Sequence, residues 1–130
     1  MNQRRVFTQG RIGRQSRGQI VVVGRGGQAV LHGAADVLHL RIIARLEDRV
    51  HAVTQAEGLT REGALTLIRE RDRATAEYLH RFSGIDWADP SLYHLTVNTS
   101  LVGREAAAEL VASMARQVDA RLTGLQAAAA

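Results

Sequence analysis

The sequence predicts an α/β fold, a three-layer, mostly parallel sheet with flanking helices. Two observations carry that expectation. Short β-branched runs alternate along the chain with segments whose apolar residues recur at helical spacing, and strand, helix and strand in alternation build a layered sheet with helical crossovers. A length of 130 residues with 45% hydrophobic content supplies one modest core and no second independent domain.

The elements follow in order. Residues 19–23 read as a buried strand, 26–31 as a short helix, and 37–44 ("VLHLRIIA") as a second strand. A helix is expected over 46–57, with Glu47 and Asp48 in the first turn, where the helix dipole favours acids, and Gly58 placed to end it. Thr60 is positioned to cap the next helix, which should run to about His80. "DWADPSL" is a turn, with Asp89 before Pro90 at a helical first position, and "YHLTVNT" is a third strand. From Arg104 to Leu122, Ala107, Leu110, Val111, Met114 and Val118 lie at helical spacing, and the helix should stop near Gly124, leaving 124–130 as a frayed tail.

Charge is distributed unevenly. All 17 basic residues are Arg, six of them lie at positions 4, 5, 11, 14, 17 and 25, and no acid precedes Asp36. Residues 1–18 therefore read as a flexible basic leader. Nucleic acid is disfavoured as its partner, because Phe7 is the lone aromatic there and single-strand binding needs stacking surfaces. There is no cysteine, which removes disulfides, thiolate metal sites and cysteine nucleophiles. With no apolar run near a membrane span and no secretory signal in the first 19 residues, the expected location is cytoplasmic, without a membrane partner.

"IVVVGRGGQAVL" drops from a β-branched run into glycines, the pattern of a backbone that closes around phosphate. An ATP-cradling loop reads G-x-x-x-x-G-K-[ST]. Gly13 and Gly18 have that spacing, yet Gln19 and Ile20 follow and the chain contains no lysine. Gly24, Gly26 and Ala29 fit a dinucleotide fingerprint, with Arg45 placed for a 2′-phosphate. Against it, only 12 residues separate Gly24 from Val37, and the ribose-binding acid is missing. His32, His39, His51, His80 and His94 have no metal-ligand spacing, and no Ser/His/Asp constellation appears, so no catalytic residue and no metal site is predicted. "NTS" at 98–100 reads as a strand end and Trp87 as a packing anchor. On the helix from Thr60, Arg71 lies within about 20° of Ala64 and Tyr78, beside the apolar side, and serves either a cleft or an internal ion pair with Asp72 or another acid. Arg73 and Glu77 form a surface i, i+4 pair.

"VVVGRGGQAVL", "VLHLRIIARLEDRV" and "EGLTREGALTLIRERDRATAEYLHRFSGIDWADPSLYHLTVNTS" resemble, in order and spacing, the C-terminal half of the cytidylate kinase-like family. The likeness covers residues 17–118, and the combination of G-R-G, L-E-D-R, E-G-L-x-x-E-x-A, R-D and N-T-S makes it specific. The resemblance implies a P-loop kinase fold with a five-stranded parallel sheet in the order 2-3-1-4-5, using ATP and magnesium to phosphorylate a nucleoside monophosphate or related acceptor. It implies a partial domain over 19–123 that keeps the third to fifth strands and a helical lid at about 46–82. The first strand, the P-loop and the monophosphate-binding insertion are absent, so the chain alone is expected to be catalytically incomplete, with no cofactor assigned to it.

By the same resemblance Gly24, Arg25, Gly26 and Gly27 form the acceptor-phosphate clamp, and Arg49, Arg71 and Asp72 are lid contacts to phosphate. Gly26 stands where the family has Asp. Thr75 and Tyr78 replace an Asp and an Arg that contact the monophosphate, which leaves pyrimidine recognition unsupported. Expected partners are a nucleotide or other phosphate ligand, and a second copy or a complementing N-terminal half. The alternative is a non-catalytic α/β interaction or anion-binding module.

Overall fold

The computed structural model describes residues 3–8, 11–17 and 37–129. Strands β1 (Gln3–Thr8) and β2 (Arg11–Arg17) pair antiparallel, with Thr8 opposite Arg11, Phe7 opposite Ile12 and Val6 opposite Gly13. The stretch expected as a flexible basic leader, 1–18, therefore includes two paired strands. Arginine content argues against burial but not against backbone pairing. Between the strands the sequence offers just Gln9 and Gly10, a two-residue connection ending in glycine of the kind hairpins favour. The strand predicted at 19–23 and the helix predicted at 26–31 lie outside the described residues.

Strands β3 (Leu40–Ile43) and β4 (Leu95–Asn98) pair in parallel, Leu40 opposite Leu95 and Ile43 opposite Asn98. Each is shorter than the apolar run that predicted it, but the α/β class stands, with a small parallel pair in a mostly helical chain. The His94 N–H donates to the His39 carbonyl at 2.8 Å. Backbone polarity alternates along a strand, so Arg41 and Ile43 also face β4, while Leu40 and Ile42 present their N–H and C=O groups to the opposite side.

Helix α1 (Leu46–Glu57) has the predicted bounds, and Gly58 closes it at φ 65°, donating its N–H to Thr54 O. Helix α2 (Arg61–Ser83) starts where expected: Thr60 Oγ1 accepts from Gly63 N at 3.1 Å. It ends at Ser83, three residues past the expected stop, and Gly84 follows as a second left-handed glycine. Asp89 caps a short 3-10 turn, Pro90–Leu92, by accepting from Ser91 N. A one-turn helix α3 (Thr99–Val102) then precedes α4 (Arg104–Ala129).

The helix stop expected near Gly124 is corrected by α4, which runs through that glycine to Ala129. One interior Gly costs only about 1 kcal/mol of helix propensity, and the alanines that follow are the best helix formers.

The α1–α2 hairpin has its own core. Val50, Ala64 and Ile68 are buried there, with Val53, Leu59 and Leu65 packed around them. Leu79, Val97 and Ala107 are the other buried apolar residues described. Trp87, read as a packing anchor, lies 5.2 Å beneath the Arg41 guanidinium, whose Nη1 donates to Ala88 O, and the Tyr93 hydroxyl donates to Trp87 O at 2.6 Å. No described helix is long and apolar enough to cross a membrane.

Candidate functional site

Parallel strands deliver both chain ends to one edge, and open α/β sheets bind ligands outside those carboxyl ends. Here the edge is built from Arg45, which follows β3, from Asn98, which ends β4, and from Thr99 and Ser100, which open α3. Ser100 Oγ accepts from Arg45 N at 2.8 Å, Thr99 Oγ1 donates to Ile43 O at 3.3 Å, and Asn98 Oδ1 accepts from Ser100 N at 3.1 Å. The N-T-S motif, read as a strand end, thus stitches the two carboxyl ends together. Arg45 is also the residue before the first turn of α1, and no side chain caps that turn. Its exposed guanidinium has no acidic partner among the described residues.

One turn along α1, Arg49 Nη2 meets Asp72 Oδ1 at 2.8 Å, the two side chains 33% and 30% exposed. Helical spacing explains the meeting. Asp72 falls four residues after Ile68, eight after Ala64 and seven before Leu79, on the buried stripe of α2, while Arg49 precedes buried Val50. Arg71 turns instead to Glu57, with Nη2 3.5 Å from Oε1. This is a half-exposed pair with an acid other than Asp72, not the internal ion pair the sequence offered as one of two roles. Arg73 pairs with Glu77 at 3.8 Å as predicted, and Arg61 with Glu47 at 2.5 Å.

The structure therefore brings Arg49 and Asp72 together and pairs Arg71 with Glu57. Gly24, Arg25, Gly26 and Gly27 lie outside the described residues. Arg45, singled out in the sequence only under the dinucleotide fingerprint, is the exposed cation at the strand ends. Its signal was position: the first residue after an apolar strand and the last before a helix. Among the described residues the shifted carboxyl group is Asp89, held below its ordinary value by the backbone N–H and then the hydroxyl of Ser91. No cluster of three or more His, Cys, Asp or Glu suited to a metal ion occurs among the described residues.

The chain matches the family model described as "Cytidylate kinase-like family" over residues 1–101. It is similar to a cytidylate kinase of Ignicoccus hospitalis, 32% identical over 98 residues, which make up 75% of this chain and 56% of that protein. A cytidylate kinase of Aeropyrum pernix is 30% identical over 102 residues, 78% of this chain and 59% of the other. One of Sulfolobus acidocaldarius is 26% identical over 97 residues, covering 75% and 53%. The matched stretch spans little more than half the length of these relatives.

Proposed function

The chain belongs to the cytidylate kinase-like family, and on that footing we propose that it is the acceptor-side and lid portion of a nucleotide-phosphorylating transferase. In this proposal β3 and β4 belong to a larger three-layer parallel sheet of a truncated P-loop kinase-like fold, in a cytoplasmic protein. The observation that supports it best is the carboxyl edge, where Arg45 stands exposed between β3 and the α1–α2 hairpin that starts there.

The chemistry suits the residue type. A guanidinium offers planar, bidentate hydrogen bonds to phosphate oxygens and offsets the charge that builds up as two phosphates approach. Arg49 adds a second cation one turn away. Arg25, with Gly24, Gly26 and Gly27, is proposed from the sequence as the clamp on the acceptor.

The residues of this chain do not by themselves fit ATP and magnesium. It has no lysine for the donor phosphates, Gln19 and Ile20 follow Gly13 and Gly18, Ala64 and Leu65 follow the equally spaced Gly58 and Gly63, and no metal-binding cluster is found among the described residues. Phosphoryl transfer is catalysed by positioned charge around the moving group. We therefore propose that this chain alone does not transfer phosphate from ATP, and that a second copy or a complementing N-terminal half supplies what is missing.

The purified chain, given ATP, magnesium and CMP, should form no CDP. In the same preparation inorganic phosphate should shift the resonances of Arg25, Arg45 and Arg49. Turnover that follows the polypeptide through purification and vanishes in Arg25→Ala would overturn incompleteness, and shifts confined to residues 4–17 would overturn the phosphate site. The second reading, a non-catalytic anion-binding module, is favoured by one observation: Arg49 and Arg71 both already hold carboxylates. It gains if a polypeptide carrying G-x-x-x-x-G-K-[ST] binds the chain without restoring transfer.

A further inference from the structure

We propose that Asp72 is an internal stand-in for phosphate, a latch that holds Arg49 until an anion displaces it; the inference rests on the phosphate-site reading above. Three features carry it. The bond joins one guanidinium nitrogen to one carboxylate oxygen at 2.8 Å, and no other polar contact of the Arg49 side chain is found among the described residues. Most of the fork's five donors therefore remain open to a second oxyanion. With about a third of each side chain exposed, solvent and small anions reach the pair.

The second feature is the position of Arg45. It is the N-cap of α1, one turn before Arg49, and its carbonyl accepts from Arg49 N at 3.0 Å. An anion at the carboxyl edge therefore meets two guanidinium groups. Of the nearby acids on α1, Glu47 is occupied by Arg61, and Asp48 lies toward a different groove with His51, Gln55 and Arg104.

The third feature is that releasing the latch leaves the hairpin packed. Val50, Ala64 and Ile68 hold α1 to α2 without the ion pair. Exchange of partners is then a side-chain event. A phosphate dianion brings more charge and more acceptor oxygens than one carboxylate, so it takes Arg49 together with Arg45, and Asp72 gives up its bond to Arg49. Asp72 is a positioning residue on this account: it keeps the Arg49 fork near the edge when no anion is bound and weakens anion binding by the strength of the pair it must give up.

The experiment is a phosphate titration at fixed ionic strength, following the Arg45 and Arg49 side-chain Nε–H signals and the Asp72 carboxyl carbon. Asp72→Asn should bind phosphate about two- to fivefold more tightly, the factor that a partly exposed ion pair is worth, and Asp72→Glu should stay near the parent. In the parent protein, phosphate should move the Asp72 carboxyl signal together with that of Arg49, a readout that needs no variant. If the Arg signals shift but Asp72→Asn binds no tighter, or the Asp72 carboxyl signal stays fixed, the latch is wrong and the phosphate site stands. If neither Arg45 nor Arg49 responds in any protein, the site and the latch both fall.

Discussion

Replacing Ile68 by Ala tests which force holds the lid hairpin together. Ile68 is only 4% exposed and sits between Val50 and Ala64. The change removes three carbons. At about 0.8 kcal/mol per buried methylene, the transfer part alone is about 2.4 kcal/mol. The cavity adds to this, because neighbours on two rigid helices relax only in part, and a total of about 2–4 kcal/mol is expected. Domains of this size are stable by about 5–15 kcal/mol, so the variant should remain folded but with a clearly lower urea midpoint. The Arg49–Asp72 pair sets the comparison: at a third exposure it is screened, and Asp72→Asn should cost less than about 1 kcal/mol. Urea unfolding followed by circular dichroism gives both values, and amide exchange over 46–83 shows where protection is lost. A loss below about 1 kcal/mol for Ile68→Ala, or a larger loss for Asp72→Asn than for Ile68→Ala, would refute packing as the dominant force.

Two smaller effects follow from the backbone and from pH. Gly58→Ala should cost about 1–2 kcal/mol, read as a lower melting temperature, because φ is 65° and an added Cβ meets nothing within 4 Å, so the penalty is conformational alone. Asp89 has a folded pKa below its unfolded value, so its contribution is fully present above the ordinary aspartate pKa and is lost as pH falls through the lowered one. Stability measured from pH 5 down to pH 2 should therefore fall less steeply in Asp89→Asn, which removes the titrating group and keeps a capping oxygen.

Much of the helical part was legible because each boundary has a local cause. Two acids and Gly58 mark α1; Thr60 and the apolar stripe through Ala64 and Ile68 mark α2; Asp89 before Pro90 marks the short turn. The errors arise where local signals are weak or compete. Helix α3 has four residues and no periodicity to detect, and its start is an Asn side chain acting within N-T-S. Gly124 was given the weight of a terminator although the alanines beyond it outvote one glycine. In the β1–β2 segment, charge was taken as evidence of flexibility although backbone pairing is indifferent to it. The site shows the same limit. Helical angles placed Arg71 beside the apolar side of α2, but a long side chain lies where its partner is, and Glu57 draws it away. Asp72, one residue on, falls on the stripe itself.

The pattern of ion pairs sorts the arginines more sharply than the sequence does. Arg61, Arg71 and Arg73 each hold an exposed carboxylate, an arrangement that offsets charge on a solvated surface. Among the described residues Arg45 has none, and Arg49 has one that is only partly shielded. Both stand at the carboxyl edge. On α2, Thr75 donates its hydroxyl to the Arg71 carbonyl, and the Tyr78 ring rests 4.9 Å from that of Phe82. These two positions correspond by resemblance to the family's monophosphate-contacting Asp and Arg. Here one side chain bonds to its own helix and the other packs on its neighbour, so neither brings a carboxylate or a guanidinium to a bound nucleotide. In the proposed reading, a ligand at this edge is therefore recognised through its phosphate, by Arg45 and Arg49, and any discrimination between bases has to come from residues other than Thr75 and Tyr78.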